Sequence, residues 1–191
     1  MRSAITFLIS FIFLIPTGDI SMLGIKINHT RKSLDSLKLE IVANENNMIK
    51  YTTNNGNDFS VTIENNKVVY MENDWLQDPK GEKPLFSDFV FGQTTLKDIR
   101  KKFSTNGFTY RSRGAFTTKN DLIEFNCFEF DSSNNEVLVT ITKVSLKEDV
   151  TEKTIAAKLK LDALIIADKS YLDRTWGEEK VYDENYKKIK P

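Results

Sequence analysis

Short segments with the composition of β-strands, separated by turn signals, constrain the fold of this chain more than any other feature. Residues 48–53, 59–64 and 67–71 are rich in Val, Ile, Tyr and Thr, and residues 54–58 (Asn-Asn-Gly-Asn-Asp) and 65–66 (Asn-Asn) separate them. Because Asn and Gly tolerate the positive φ of tight turns, these separators predict β-hairpins. The alternation of apolar and polar residues in 59–64 indicates a strand with one buried and one wet face.

Two further segments have the spacing of amphipathic helices. Residues 33–41 and 95–103 each begin with a Ser or Thr suited to an N-cap, and apolar residues follow at the spacing i, i+3 and i+7. Asp98 lies three residues after Thr95 and completes a capping box. The equivalent pairs, all separated by the same number of residues, are Ser33 and Thr95, Leu34 and Leu96, Leu37 and Ile99, and Ile41 and Phe103.

This repetition predicts an α+β fold of two tandem units, each a short helix plus an antiparallel β-meander, forming a curved sheet with helices on one face. Strands expected at 108–112, 122–130 and 137–144 supply the second meander. The alternative to a true duplication is that the two helical segments have the same spacing by coincidence. The predicted division is a signal peptide at 1–21, a first unit at 22–78, a linker at 79–85, a second unit at 86–145, and a C-terminal strand and extended tail at 146–191.

The amino terminus has the order of features found in an export signal. Arg2 precedes an apolar run at residues 4–15, and a Pro-Thr-Gly sequence follows at 16–18. This run of about 12 residues is shorter than the roughly 20 that a helix needs to cross a hydrocarbon core. Since no Cys follows that could carry a lipid, we expect a periplasmic or secreted protein without a stable membrane anchor after signal removal. An uncleaved anchor and a buried N-terminal strand or helix are the alternatives.

Charge and rare residues exclude several classes of function. Lys+Arg and Asp+Glu each number 27, so the formal net charge is zero and a nucleic-acid partner is not expected. Cys127 is the sole cysteine, which excludes an intramolecular disulfide, and its aromatic neighbours indicate a small buried side chain. His29 is the sole histidine, which excludes His-based triads and multi-His metal sites in one chain. We predict no cofactor and no metal.

The remaining catalytic route is a pair of carboxylates. The candidates on predicted strands are Glu124, Glu129, Asp162 and Asp168. Two carboxylates that share a cleft act as general acid and base in many small hydrolases. Carboxylates that alternate with apolar residues usually form the wet face of a sheet, so we predict that the protein is not an enzyme and keep the hydrolase as an alternative.

Aromatic residues give the positive signal for function. The chain has 13 Phe, 6 Tyr and 2 Trp, more than a small β-rich core needs. The candidate partner-binding residues, at or near predicted strand ends, are Tyr51, Tyr70, Trp75, Phe108 and Tyr110. Tyr and Trp offer a large contact area with few rotatable bonds, which suits a protein-binding surface. The alternative is that these rings line an ordinary sheet core.

Residues 91–99 (Phe-Gly-Gln-Thr-Thr-Leu-Lys-Asp-Ile) form a Gly-x-Thr turn that leads into the second predicted helix. Together with the helix-plus-meander pattern, this segment resembles the β-lactamase-inhibitor-protein-like superfamily, which includes exported inhibitors and small lipoproteins of the outer-membrane assembly machinery. The resemblance implies export and action through protein–protein contact. The chain departs from those relatives because it lacks the lipid-bearing Cys and the disulfides, and because residues 28–30 read Asn-His-Thr in the first unit.

The predicted function is therefore that of an exported, non-catalytic protein that binds another protein of the cell envelope or an exogenous protein. Besides the carboxylate hydrolase, a periplasmic immunity-type inhibitor of a toxin is an alternative. The sequence leaves the identity of the partner and the role of residues 146–191 open.

Overall fold

The computed structural model describes residues 20–133 and 135–191. Residues 1–19, which contain nearly all of the predicted signal peptide, lie outside the described residues, so the export signal stays a prediction. Within the described part of the chain, no helix is both long enough and apolar enough to span a membrane.

Ten β-strands and three α-helices make up the regular structure of the described chain, together with three short 3-10 helices. In chain order the strands are β1 (Glu40–Glu45), β2 (Met48–Thr52), β3 (Asp58–Glu64), β4 (Lys67–Asp74), β5 (Phe108–Tyr110), β6 (Ala115–Thr117), β7 (Asp121–Glu129), β8 (Glu136–Ser145), β9 (Lys160–Asp168) and β10 (Lys180–Tyr182). The α-helices are α1 (Leu96–Phe103), α2 (Ile155–Lys158) and α3 (Lys169–Trp176), and the 3-10 helices are Arg31–Ser36, Pro79–Gly81 and Arg111–Arg113.

The ten strands form one antiparallel sheet. Its order is β1, β2, β3, β4, β9, β8, β7, β5 and β10, and β6 pairs with β7. The strand β9 therefore lies between β4 and β8, where Ile166 is the partner of both Met71 and Leu138. Residues 163–167 of β9 (Ala-Leu-Ile-Ile-Ala) are apolar on both faces, as expected for a strand that is covered on both sides.

The predicted α+β fold of two tandem helix-plus-meander units is wrong. The strand β9, from the stretch whose role the sequence leaves open, joins the first four strands to β8 and β7 in one continuous β-rich sheet. The turn signals specify each hairpin locally, and β2, β3, β4, β7 and β8 confirm the strands expected from them. The position of β9 depends instead on its pairing with β4, which lies far earlier in the chain, and on burial of both its faces in the core, and no local signal records either.

The second predicted helix is confirmed by α1. The Thr95 hydroxyl accepts the backbone N–H of Asp98 at 3.2 Å, and the Asp98 carboxylate accepts the N–H of Thr95 at 3.1 Å. These two bonds are the capping box that the sequence predicts. Ser104, directly after the helix, takes the left-handed conformation that often ends an α-helix.

The first predicted helix, at 33–41, is wrong. A 3-10 helix occupies Arg31–Ser36, and the chain enters β1 at Glu40. No side chain caps the 3-10 helix, and the β-branched Ile41 and Val42 favour a strand. The likeness to the second helix therefore does not extend to the structure, although the apolar spacing is the same.

Apolar side chains are buried against both faces of the sheet. The larger core contains Ile99 of α1 together with Phe128 and Ile166. The smaller core lies on the opposite face and contains Leu172 of α3 together with Ile165. Successive residues of β9 therefore contribute to opposite cores, and the predicted placement of helices on one face is wrong because α1 and α3 cover different faces.

Candidate functional site

A groove with a volume of about 740 Å³ lies beside the larger core. It is bounded by the C-terminal end of α1, residues 85–88, the end of β7 and the C-terminal tail at 187–191. We call it the phenylalanine groove, after Phe86, Phe103 and Phe130. The other residues that line it are Ser21, Leu85, Ser87, Asp88, Lys102, Asp131, Lys187, Lys188, Ile189, Lys190 and Pro191.

The helix α1 and the strand β7 position two of the three rings. Phe103 is the last residue of α1, and its ring centre lies 4.9 Å from that of Phe128. Phe130 directly follows β7 and is fully buried, and the Phe86 ring meets it edge-on at 6.0 Å. Phe86 and Phe103 are partly buried against the larger core. The groove therefore has an aromatic floor in which Phe86 and Phe103 expose part of their rings, while the fully buried Phe130 packs against Phe86 and holds it in place.

The C-terminal tail forms one wall of the groove. The N–H of Ile189 donates to the carbonyl of Glu129 at 2.8 Å, and the N–H of Asp131 donates to the carbonyl of Ile189 at 2.9 Å. The Tyr186 hydroxyl donates to the Glu129 carboxylate at 2.6 Å, and Lys169 forms an ion pair with the same group. Burial alone would raise the pKa of Glu129, but these two bonds lower it below its ordinary value. The tail is thus fixed by backbone pairing and by one shared carboxylate.

Cationic side chains outnumber acidic ones around the phenylalanine groove. The lysines are Lys102, Lys187, Lys188 and Lys190, and the acids are Asp88 and Asp131. Lys102 forms an ion pair with Asp88, and this bond holds the pKa of Asp88 below its ordinary value. The ammonium of Lys102 also lies 5.0 Å from the centre of the Phe89 ring. The groove combines an apolar interior with a positively charged border.

The five predicted partner-binding residues do not form one exposed surface. Tyr51, Phe108 and Tyr110 are at most 3% exposed, whereas Tyr70 and Trp75 are half-buried. Tyr51 belongs to the larger core, and Phe108 and Tyr110 belong to the smaller core on the opposite face. These rings occupy inward positions of strands, where aromatic side chains fill the core. The three buried rings offer no contact area to a partner.

No pattern in the sequence singles out the residues of the phenylalanine groove. In the sequence, Phe103 belongs to the apolar face of the second predicted helix, and Phe130 ends the strand predicted at 122–130. The C-terminal tail pairs with the residue that follows β7, and this contact helps to bring Phe103 and Phe130 close to Phe86. The local sign of this contact in the sequence is Ile189, a single apolar residue among lysines. Distant contacts of this kind cannot be read from spacing.

The four carboxylates considered for catalysis do not converge. Glu124 and Glu129 lie on opposite faces of β7, because they are an odd number of residues apart. Each candidate has its own partner: Glu124 pairs with Arg100, Glu129 with Lys169 and Tyr186, Asp162 with Lys143, and Asp168 accepts the N–H of Tyr171 at the start of α3. Three of these contacts involve ion pairs and the fourth is a helix cap.

Cys127 and His29, each the sole residue of its type, both lie within the described part of the chain. Cys127 is fully buried, as predicted, and burial raises the pKa of its thiol, which keeps the sulfur uncharged. The Nδ1 atom of His29 accepts the backbone N–H of Lys26 at 3.4 Å, within a turn. In the residues that the structure describes, no cluster of three or more His, Cys, Asp or Glu is arranged to hold a metal ion.

A further carboxylate pair, outside the four catalytic candidates, lies on β4. Glu72 and Asp74 are two residues apart on one strand, so their side chains project from the same face. Tyr70 donates its hydroxyl to Glu72 at 2.8 Å. Burial raises the pKa of Glu72, and burial together with the neighbouring Glu72 charge raises the pKa of Asp74 to about 7. The charge of Lys50 opposes the rise in pKa of both carboxyls, but Lys50 is itself bonded to Asp58 at 2.5 Å.

Replacing Asp74 by Asn is expected to stabilise the protein above neutral pH. Because the pKa of Asp74 rises from 3.8 to about 7 on folding, the folded protein keeps a proton that the unfolded chain releases, and the free energy of unfolding falls as the pH increases through that interval. Removing this penalty at pH 8 should contribute about 1 to 2 kcal/mol, once the water around a half-buried group is allowed for.

Urea unfolding of the wild type and of Asp74→Asn at pH 5 and pH 8 measures this effect, and the exposed Asp149→Asn serves as the matched control. The free-energy difference between wild type and Asp74→Asn should grow from pH 5 to pH 8, while the control follows the wild type. A difference that is the same at both pH values contradicts the prediction.

Neither a protein-family profile nor a curated protein sequence matches the chain. Among solved structures, the crystal structure of an extracellular protein containing an SCP domain, from Bacillus anthracis strain Ames, has a similar arrangement with a TM-score of 0.41 and 13% sequence identity. The alignment covers 84% of this chain and 50% of that one, so the chain spans about half the length of that structure.

Proposed function

We propose that this is an exported, non-catalytic binding protein whose phenylalanine groove takes a single apolar chain with an anionic end, such as a long-chain fatty acid. The observation that supports it is the groove of about 740 Å³, with an aromatic floor and four lysines at its border. Binding sites for small molecules are usually concave, mostly apolar, and about 300 to 1,000 Å³ in volume.

The apolar interior is expected to supply most of the affinity. Each methylene group removed from water contributes about 0.8 kcal/mol, so four additional methylenes strengthen binding by about 3 kcal/mol, or roughly 100-fold. An exposed ion pair contributes about 0 to 1 kcal/mol. The lysines therefore select the orientation and charge of the ligand, while the length of its chain determines how tightly it binds.

Binding of fatty acids tests this proposal directly. Palmitate is expected to displace a fluorescent apolar probe such as anilinonaphthalene sulfonate from the protein, and dodecanoate, four methylenes shorter, should need a concentration about 100-fold higher. Hexadecanol, which has the same chain length and no charge, should bind up to about fivefold more weakly than palmitate.

A variant of the groove separates this site from other apolar surfaces. Phe86→Glu places a negative charge on the floor, so we expect palmitate to bind at least about tenfold more weakly. Phe116→Glu is the matched control, because Phe116 is 41% exposed on β6, away from the groove. If palmitate does not bind, or if both variants weaken it equally while retaining their thermal unfolding midpoints, the proposal is wrong.

A further inference from the structure

The sheet ends at β1, whose outer edge faces no other strand among the described residues. Five of the six residues of β1 are exposed, and Ile41 and Val42 are 55% and 50% exposed. We propose that the outer edge of β1 binds an extended segment of another protein, in which cationic and apolar side chains alternate.

An open edge presents a row of backbone N–H and C=O groups that another strand is able to pair with. Soluble proteins usually protect such an edge with charges along the strand, with β-bulges, or by keeping the strand short. In β1 the charged residues are Glu40 and Glu45 at the two ends, and the centre carries Ile41, Val42 and Ala43. The centre therefore offers apolar contact, and a β-bulge between Ile41 and Ala43 leaves backbone pairing to the residues on either side of it.

The register of β1 on β2 defines what a partner must present. Glu40 lies opposite Thr52 and Glu45 lies opposite Met48, on one face of the sheet, whereas Ile41 lies opposite the inward-facing Tyr51. A β-bulge between Ile41 and Ala43 lets the two glutamates share that face. An added strand would place alternate side chains beside the glutamates and the others beside Ile41.

The charges select the kind of partner. Neither Glu40 nor Glu45 forms an ion pair with any residue that the structure describes. In an antiparallel pair of two copies, Glu40 of each copy would approach Glu45 of the other, and like charges directly opposite are destabilising. Lys or Arg at those positions gives an attractive contact instead, so the edge favours a different, cationic chain over a second copy of itself.

The opposite end of the sheet does not have these properties. There β10 has three residues, Lys180 is paired with Asp173, and the Tyr182 ring packs against Tyr186 at 4.7 Å. The phenylalanine groove adjoins β7, six strands away from β1 along the sheet, which corresponds to about 29 Å at the usual strand spacing. Because of this separation, we expect binding at β1 to be independent of binding in the groove.

Labelled peptides test the proposal on the full protein. The probe is an eight-residue peptide that alternates lysine and valine, and its binding is measured by fluorescence anisotropy. We expect the charge-reversed double variant Glu40→Lys/Glu45→Lys to bind this peptide about tenfold more weakly than the wild type does, because two attractive contacts become repulsive. The double variant should in turn prefer a peptide that alternates glutamate and valine.

Two further binding measurements distinguish strand pairing from simple attraction between charges. A peptide with the same lysines but with prolines in place of the valines cannot pair as a strand, and we expect no saturable binding of it. An excess of palmitate should leave the affinity for the lysine and valine peptide unchanged. Equal binding of the proline peptide, or equal affinity of wild type and double variant at matched thermal stability, would overturn the proposal.

Discussion

The Ile166→Ala variant is expected to lose about 2 to 5 kcal/mol of its free energy of unfolding. Ile166 is fully buried at the centre of β9, and its strand neighbours, Met71 and Leu138, are fully buried as well. Removing three carbon atoms there costs the burial of those atoms and leaves a cavity that packed neighbours on both strands cannot fill. Urea unfolding followed by tryptophan fluorescence measures the loss.

The same substitution at the edge of the sheet provides the control. Ile41 is 55% exposed on β1, and Ile41→Ala is expected to change the free energy of unfolding by no more than about 0.5 kcal/mol. Ile165→Ala, on the opposite face of β9, should also be costly because Ile165 is fully buried in the smaller core. Similar effects at Ile166 and Ile41 would mean that β9 does not occupy the centre of the sheet.

The Gly107→Ala variant is expected to be destabilised by about 3 kcal/mol or more. Gly107 has a φ of +74° directly before β5, a conformation that side chains with a Cβ rarely adopt. A Cβ at this position would also overlap the backbone carbonyl oxygen of Cys127 and contact the Phe128 ring at 3.0 Å. Because β7 carries that oxygen within the sheet, it cannot move aside without breaking strand pairing.

Gly56→Ala isolates the contribution of the backbone conformation. Gly56 has a φ of +85° in a hairpin, and a Cβ there would meet no atom within 4 Å. We expect Gly56→Ala to cost about 1 to 2 kcal/mol from conformation alone. The excess cost of Gly107→Ala in thermal and urea unfolding then measures the steric overlap with Cys127, and the absence of an excess would contradict the close approach of β5 to β7.

Local patterns in the sequence predicted the parts of the fold that depend on neighbouring residues. Asn65 and Asn66, with φ of 49° and 62°, make the turn between β3 and β4, and Thr95 with Asp98 makes the cap of α1. In each case, the residues that carry the signal also make the contact, so the spacing along the chain is sufficient evidence.

The parts that were not predicted depend on contacts between distant residues. The apolar spacing of residues 33–41 equals that of α1, yet the chain there joins the sheet at Glu40. The phenylalanine groove exists because Ile189 returns to Phe130, and the Glu72 and Asp74 pair is unusual because of its burial rather than its spacing. The burial of a side chain and the contact between distant segments both depend on the assembled sheet. Neither can be inferred from the residue spacing of a single sequence.

The late position of β9 in the chain has a consequence for synthesis. Its partner β4 ends at Asp74 and its partner β8 ends at Ser145, both before Lys160, so neither can acquire its shared neighbour until β9 has been synthesised. Contacts between distant residues also slow folding. We therefore expect the first four strands and the hairpin of β7 and β8 to stay separate in a nascent chain until β9 joins them.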